Sequence, residues 1–394
     1  AFPSALSDGR EPLAADLRKD GDGARLGFLK LVAGIAGVPL DVLVQRDAQR
    51  RVRRVTAVTA AALAGMLIMA AMTTFAIQSR NEAQHQRAEA EGLIEYMLTD
   101  LRGELGGVGR LDVMEGVNTR ALGYYQAQGD LSELGDESLL RRSRTLHGLG
   151  ETLSEQVNAD WAQVLGIFEE AHRATEAIYS RDPANADNIF NHAQSVYWVG
   201  RVDELQKDYS AAHEWYSQYR NLARELAAVE PGTLRTAMEL GYGELNMGIM
   251  SFSGKDYAAA EGEFGAAIGH FQNAVKLEPD NTDARYELAN AYSWISNTHY
   301  DAGNYAASLE TQREAARIKR EIVADDPQDL GAKFDLLIAQ RSLAMSEDKL
   351  GKTEAAETKL GEVAREAADL SKQDPENETW REFAERAART INAR

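Results

Sequence analysis

Residues 248–279 read GIMSFSGKDYAAAEGEFGAAIGHFQNAVKLEP, and residues 200–231 read GRVDELQKDYSAAHEWYSQYRNLARELAAVEP. Both stretches begin with glycine, have tyrosine nine residues later and alanine three residues after that, and end in an acidic residue and proline. They begin at positions 200 and 248, so one unit of the sequence is 48 residues long. A fixed period of this size is the sequence signature of a protein built from stacked structural repeats.

Acidic–proline pairs continue the same period along the C-terminal part of the chain. There are five of them, and their prolines are spaced by 48 residues: Asp182-Pro183, Glu230-Pro231, Glu278-Pro279, Asp326-Pro327 and Asp374-Pro375. Because proline cannot continue a helix and disfavours helical angles in the residue before it, each pair predicts the end of a helix. Four prolines are followed two residues later by a side chain that can cap the next helix: Asn185, Asn281, Asp329 and Asn377.

A bulky residue and small residues also return in register within each unit. The residues that stand 22 positions before the prolines are Trp161, Tyr209, Tyr257, Tyr305 and Thr353. The residues nine positions before them in the last four units are small: Gly200, Gly248, Ser296 and Ala344. This register predicts two closely packed helices, with the bulky residue of one against the small residue of the other.

The residues between these markers predict the rest of each unit. Apolar residues such as Phe264, Ile268, Phe271 and Val275 fall at helical spacing, and the C-terminal part shows no strand-like alternation. Each unit is therefore predicted to be a helix, a short turn, a longer helix and the proline. One such pair cannot bury its own apolar stripe, so we expect the units to stack into a solenoid.

The order of small residue, tyrosine, alanine and terminal proline resembles the tetratricopeptide repeat (TPR). The clearest unit matches at Gly200, Tyr209, Ala212 and Pro231, and the next matches at the equivalent positions. The first and fifth units depart from the pattern at Thr152 and Val164 and at Thr353. The resemblance implies an all-α, TPR-like α–α solenoid of 48-residue helical hairpins over residues 131–394. Since the family unit has about 34 residues, it also implies extra helical turns and a longer connection.

A second feature lies upstream, where residues 55–77 read VTAVTAAALAGMLIMAAMTTFAI without a charged residue. A helix of this length spans roughly 34 Å, enough to cross the hydrocarbon core of a bilayer. The alternative is a buried core helix. Arginines cluster just before the segment, at Arg46, Arg50, Arg51, Arg53 and Arg54, and few follow it. Since Lys/Arg excess marks the cytoplasmic end, we expect a single-pass protein of a bacterial inner membrane, N-terminus cytoplasmic and C-terminal repeats periplasmic.

Small residues recur at four-residue spacing in this segment, at Ala57, Ala61 and Gly65. Such spacing allows two membrane helices to approach closely, so the sequence leaves a homodimer open. The predicted organisation is a cytoplasmic remnant and basic linker at 1–52, a transmembrane helix at 53–78, a juxtamembrane helical segment at 79–130 and the repeats at 131–394.

Residues outside the repeats resemble a second family. EPLAADLR at Glu11–Arg18 and LDVLVQRDAQRR at Leu40–Arg51 resemble the end of a bacterial Toll/interleukin-1 receptor (TIR) domain. GLIEYMLTDLR at Gly92–Arg102 is similar to the juxtamembrane stretch of the same group. The resemblance implies a cytoplasmic signalling or NAD-cleaving module whose catalytic glutamate lies upstream of residue 1, with no catalytic residue on this chain.

Charge and motif content exclude several kinds of site. The net charge is −19, made of +3 over residues 1–54 and −22 over residues 80–394, which argues against a nucleic-acid-binding face. Cysteine is absent, and the histidines stand singly without ligand spacing. Gly351-Lys352-Thr353 lacks the first glycine of a phosphate-binding loop, and His213-Glu214 lacks the second histidine of a zinc helix. We therefore predict no catalytic residue, metal site or cofactor.

A groove is the remaining candidate site, because in TPR stacks the first helix of each pair lines a concave face along which peptides lie. By register this face should include Gln194, Tyr197, Arg201, Tyr242, Asn290 and Asn297. The predicted function is a membrane-anchored TPR-type interaction or sensor scaffold coupled to a cytoplasmic signalling module. Two alternatives stay open: the regulatory part of a TIR-domain NAD-cleaving enzyme, and a membrane-bound transcription regulator or kinase with a different upstream module.

Overall fold

The fold is seen in a computed structural model of the chain. The structure describes residues 14–98, 114–127, 131, 134–154, 156, 159–374 and 377–392. Every regular element within these ranges is an α-helix, as predicted. In chain order the helices are α1 (Gly23–Ala36), α2 (Leu40–Leu98), α3 (Met114–Ala127), α4 (Asp136–Ser154), α5 (Trp161–Arg181), α6 (Ala186–Leu205), α7 (Tyr209–Val229), α8 (Leu234–Ser253), α9 (Tyr257–Leu277), α10 (Thr282–Asp301), α11 (Tyr305–Asp325), α12 (Leu330–Lys349), α13 (Thr353–Gln373) and α14 (Glu378–Asn392). They form two compact units, Ala1–Glu89 and Ala90–Arg394.

The first unit consists of α1 and most of α2. Helix α1 ends at Gly37, whose left-handed φ of 68° is readily adopted only by a residue without a Cβ. Helix α2 is continuous over 59 residues and includes all of residues 53–78, where a helix was predicted. Its arginine-rich stretch contains no proline or helix-ending glycine, so nothing interrupts the hydrogen-bond ladder there.

The apolar stretch of α2 lies open to its surroundings. All residues of 55–77 except Gly65 are exposed. Within the described parts of the chain, α2 alone is long and apolar enough to cross a membrane, with a mean hydropathy of 2.1 in its most apolar window and none of that window buried. An exposed apolar surface of this length does not belong to the interior of the described fold.

The second unit is a stack of helical hairpins. The hairpins are α4–α5, α6–α7, α8–α9, α10–α11 and α12–α13, and each helix packs against the next along the chain. The second helix of each hairpin begins at one of the predicted residues: Trp161, Tyr209, Tyr257, Tyr305 and Thr353. Helices α6 and α7 have 20 and 21 residues and are connected by residues 206–208 alone. The prediction of a longer connection is therefore wrong. The residues that this unit has beyond the roughly 34 of the usual family unit lengthen the two helices instead.

The residues after the prolines cap the next helices as predicted. Asn185 accepts hydrogen bonds from the backbone N–H groups of Asp187 and Asn188, at 2.9 and 3.2 Å. The equivalent oxygens of Asn281, Asp329 and Asn377 accept from the backbone N–H groups of Ala284, Ala332 and Trp380. The unit without Asn or Asp at this position uses Thr233, which forms a capping box with Thr236. Pro183, Pro231, Pro279 and Pro327 thus lie between the end of one helix and the cap of the next.

The close packing within hairpins involves different bulky residues from those predicted. A Cβ on Gly248 would lie 2.5 Å from the ring of Phe264, so that the glycine forms the notch that receives this ring. Tyr257, which we expected to fill the notch, lies in the first turn of α9, and its counterpart Tyr209 is 43% exposed. The first turn is too close to the connecting loop to face the core, so the buried ring comes two turns later.

Short helical segments cover both ends of the stack. At the N-terminal end, Ile94 and Met97 of α2 pack with Tyr125 of α3 on the first hairpin. The i, i+4 spacing of Leu93, Met97, Leu101 and Leu105 predicts an apolar row, of which Met97 forms this contact while Leu93 is 58% exposed. Leu101 and Leu105 lie outside the described residues. At the C-terminal end, α14 packs Trp380 and Phe383 against Phe334 of α12.

Candidate binding groove

A groove of about 570 Å³ crosses the first helices of three consecutive hairpins, α6, α8 and α10. The repeat places it there, because equivalent positions of successive first helices face the same side of the stack. Its lining residues are Gln194, Tyr197, Arg201, Glu204, Tyr219, Tyr242, Leu245, Asn246, Ile249, Glu287, Asn290 and Trp294. Tyrosine, amide and carboxylate groups are thus combined with an apolar floor.

The structure brings five of the six predicted site residues together in this groove: Gln194, Tyr197, Arg201, Tyr242 and Asn290. The sixth, Asn297, is exposed and does not line it. Trp294 takes the place expected for Asn297, one turn after Asn290 on the same face. The role of these residues in binding stays a prediction.

Sequence reasoning missed the remaining lining residues, although helical spacing could have found several. Asn246 and Ile249 follow Tyr242 by four and seven residues, and Glu287 precedes Asn290 by three. These spacings place side chains on one helix face. Tyr219 belongs to the second helix of its hairpin, and no pattern in the sequence indicated that it reaches the groove.

Glu239 lies behind the groove wall with only 6% of its surface exposed. Its Oε2 accepts hydrogen bonds from the Tyr219 hydroxyl at 2.6 Å and from Gln194 Nε2 at 3.0 Å. Burial disfavours the charged form and raises the pKa of Glu239 to about 7, against the lowering effect of these two bonds. The back of the groove therefore holds a carboxyl group that titrates near neutrality.

Glu287 repeats this arrangement one hairpin further along, at the position equivalent to Glu239. It accepts from the Tyr242 hydroxyl at 3.5 Å and from Asn290 Nδ2 at 3.2 Å. Tyr242 in turn stands at the position equivalent to Gln194, so the donor and the acceptor recur together. Burial again raises the pKa of the carboxyl group. Unlike Glu239, Glu287 lines the groove itself.

Arg201 is the single positively charged residue among the groove-lining side chains. Its Nη1 lies 2.8 Å from Oε2 of Glu204, which also accepts a hydrogen bond of 2.6 Å from the Tyr216 hydroxyl. The guanidinium is thus paired with a carboxylate that is itself held in place by a buried tyrosine. This pairing neutralises the positive charge within the groove.

Two further groups define what the groove can contact. The Trp294 ring stacks on Phe264, with 5.8 Å between centroids, so it is held as a rigid apolar wall. Asn246 is only 7% exposed, and its Nδ2 has no hydrogen-bond partner among the described residues. An unpaired buried donor is costly, about 1–3 kcal/mol, and is therefore an unmet requirement for an acceptor.

Two of the histidines, which stand singly in the sequence, come together elsewhere in the stack. The rings of His172 and His192 lie 4.9 Å apart, and His192 also stacks on Tyr179. The described residues contain no group of three or more His, Cys, Asp or Glu side chains placed to hold a metal ion. This cluster is an aromatic core contact, and burial lowers the pKa of His192 to about 4.

Comparison with known proteins supports the repeat. The sequence model of the tetratricopeptide repeat matches residues 258–297, from the start of α9 to the last turns of α10. Residues 258–297 therefore match a tetratricopeptide repeat, and the stacked hairpins have a TPR-like fold. Repeats of this kind generally bind proteins or peptides and typically form scaffolds without catalytic activity of their own.

Two individual proteins are similar to part of this chain. Superkiller protein 3 of Schizosaccharomyces pombe is 23% identical over 165 residues, 42% of this chain but only 10% of that protein. The chain therefore matches a small part of that relative. The crystal structure of BtubC (BKLC) from P. vanneervenii is 14% identical, with a TM-score of 0.51, covering 66% of this chain and 92% of that one. At this identity the second likeness supports the fold alone.

Proposed function

We propose that the stacked hairpins of residues 136–373, here called the TPR region, bind an extended segment of a partner protein. The segment would lie along the groove formed by α6, α8 and α10. The observation that carries this proposal is the groove itself, which is open across three consecutive hairpins and is lined by tyrosines, amides and one unpaired buried donor. An extended segment presents side chains and free backbone groups along its length, which matches such a mixed polar and aromatic lining.

Site-specific photo-cross-linking in the producing cell tests this proposal. A photoreactive phenylalanine analogue at Ile249, in the groove, should cross-link to a partner polypeptide. The matched control is the same analogue at Glu261, an exposed position on the second helix of that hairpin. Equal cross-linking at the two positions would contradict a groove-specific partner.

We also propose that residues 55–77 form a membrane anchor. Its support is the exposed, uncharged stretch of α2, in which the hydroxyls of Thr73 and Thr74 donate to the carbonyls of Met69 and Ala70 at 2.9 Å. These two hydroxyls are therefore satisfied within the helix, as an apolar solvent requires. The arginine cluster before it favours a cytoplasmic N-terminus and periplasmic repeats at a bacterial inner membrane.

Alkaline phosphatase fusions test this orientation, because the enzyme becomes active only in the periplasm. A fusion after residue 130 should be active, and a control fusion after residue 38, before α2, should be inactive. The opposite pattern would reverse the orientation, and two inactive fusions would remove the anchor from the proposal. The homodimer through Ala57, Ala61 and Gly65 stays a prediction.

The membrane helix would connect partner binding to a cytoplasmic module. The resemblance of Leu40–Arg51 to the end of a TIR domain favours a signalling or NAD-cleaving module there. The coding sequence upstream of Ala1 decides between this module and a transcription regulator or kinase. Alternating strands and helices with an acidic pocket residue would support the TIR module, whereas a helix with a basic face would contradict it.

A further inference from the structure

We propose that the groove takes a lysine or arginine side chain of the bound segment beside Glu287, while the Asn246 amide donates to the backbone of the same segment. This inference rests on the proposed function and specifies the chemistry of the partner. It depends on three features of the groove: an unpaired donor, a carboxylate without a cationic partner and an aromatic wall.

The unpaired donor is Asn246 Nδ2. It stands on α8 in the middle of the groove and has no acceptor among the described residues. An apolar ligand would leave this buried donor unsatisfied, whereas a backbone carbonyl of an extended chain would satisfy it. The ligand therefore carries a hydrogen-bond acceptor at this point.

The carboxylate without a cationic partner is Glu287. Its described hydrogen bonds come from uncharged donors, Asn290 and Tyr242, and no described cation forms a salt bridge with it. Lys319 attracts it from α11, but that side chain is itself 7% exposed and stands over the ring of Tyr286. A half-buried carboxylate without a cation in direct contact gains most from one supplied by the ligand.

The aromatic wall suits the same type of ligand. Tyr242, whose hydroxyl donates to Glu287, lines the groove together with Trp294, which lies two turns after Glu287 on α10. Their rings can cover the aliphatic stem of a lysine or arginine and attract its charged end. Glutamate, aspartate or phosphate would instead meet Glu287 and a guanidinium that Glu204 already neutralises.

Charge beyond the groove favours the same ligand. Residues at the position of Glu287 in the neighbouring repeats are also acidic, Glu239 in the repeat before it and Asp335 in the repeat after it. Residues 80–394 as a whole carry a net charge of −22. A strongly acidic stack attracts basic segments and repels acidic ones.

Peptide pools of defined composition test the inference on the full chain in detergent. Three labelled nonapeptide pools have a fixed central arginine, glutamine or glutamate and mixed residues elsewhere. The arginine-centred pool should bind roughly tenfold more tightly than the glutamine-centred pool, as expected for a charge-assisted bond. Glu287→Gln should abolish this preference. The matched control is Glu310→Gln, an exposed acid on α11, which should leave the preference unchanged.

The outcomes separate this inference from the proposed function. Groove-dependent binding of all pools, lost in Asn246→Ala but without preference for arginine, would overturn the basic subsite and leave the groove function standing. A preference for arginine that survives Glu287→Gln would also overturn it. Denaturant unfolding of Glu287→Gln and Asn246→Ala, at the same midpoint as the parent, shows that both variants are folded. Failure of every pool to bind would contradict the proposed function as well.

Discussion

At the scale of single residues, Glu239 shows how burial sets chemistry. Its pKa is about 7 in the folded protein and 4.5 for a free side chain, so the folded state binds this proton more tightly. The stabilising contribution is complete below pH 4.5 and is lost as the pH rises through 7. We expect Glu239→Gln, which keeps an acceptor for Tyr219, to be more stable than the parent at pH 8 by up to about 3 kcal/mol.

Urea unfolding at pH 4.5, 6 and 8 measures this difference. The gap between Glu239→Gln and the parent should open with rising pH and close at pH 4.5. Glu261→Gln, at an exposed position, serves as the control and should show no such gap at any pH. A gap that stays constant with pH would show that burial does not hold the Glu239 proton.

The buried histidines have the opposite dependence on pH. Burial lowers the pKa of His192 to about 4, from 6.5 for a free side chain. A lowered pKa contributes stability above pH 6.5 that is lost as the pH falls through 4. His192→Phe keeps the ring contact with Tyr179 and removes the titration, so it should unfold less readily than the parent on acidification from pH 6.5 to 4.

Thermal unfolding followed across this range measures the effect. The melting temperature of His192→Phe should fall less steeply with acid than that of the parent. His213→Gln, at an exposed position, should follow the parent. Parallel curves for His192→Phe and the parent would contradict a titrating buried histidine.

Residue-scale features of the groove were only partly predictable. Register identified Gln194, Tyr197, Arg201, Tyr242 and Asn290 because equivalent positions on the first helices recur once in every unit. It could not identify Asn246 as unpaired, or Glu239 as buried. Those properties depend on the side chains of neighbouring hairpins, which a one-dimensional pattern does not contain.

At the scale of helices and hairpins, glycine notches set how closely partners pack. Gly248→Ala would place a methyl group 2.5 Å from the Phe264 ring, and this ring is fully buried and cannot move away freely. We expect a loss of about 1–3 kcal/mol in the free energy of unfolding. Phe264→Leu should partly restore stability in the Gly248→Ala background, because the smaller side chain vacates the notch.

Gly262→Ala provides the matched control, since Gly262 lies on α9 with nothing within 4 Å of its missing Cβ. This substitution should raise the free energy of unfolding by about 0.5–1 kcal/mol through helix propensity alone. Denaturant titration of the three variants measures both effects. If Gly248→Ala stabilised the protein as Gly262→Ala does, the notch would have no part in packing.

Helix ends were largely predictable from local chemistry. Each proline and the cap that follows it act within a few residues, and Asn185 and its counterparts form the expected bonds. The buried partner of Gly248 was not predictable in the same way. Tyr257 and Phe264 both lie in α9 at plausible distances, and only the rotation of the packed helices distinguishes them.

At the scale of the whole molecule, the TPR region is held together by contacts between successive helices. Such a stack opens from its ends, so the terminal helix α14 protects the hairpin before it. Trp380→Ala removes a ring 5.7 Å from that of Phe334. Amide hydrogen exchange should become faster in α12 to α14 and remain unchanged in α6 to α8. Uniformly faster exchange would indicate one cooperative unit instead of a stack.

We propose that a partner places a basic side chain in the groove, and competition for the cross-link in isolated membranes measures this. The photo-cross-link formed from position 249 is measured with increasing amounts of the arginine-centred or the glutamine-centred pool. The arginine-centred pool should suppress the cross-link at roughly tenfold lower concentration. A cross-link that resists both pools, or yields equally to both, would contradict it.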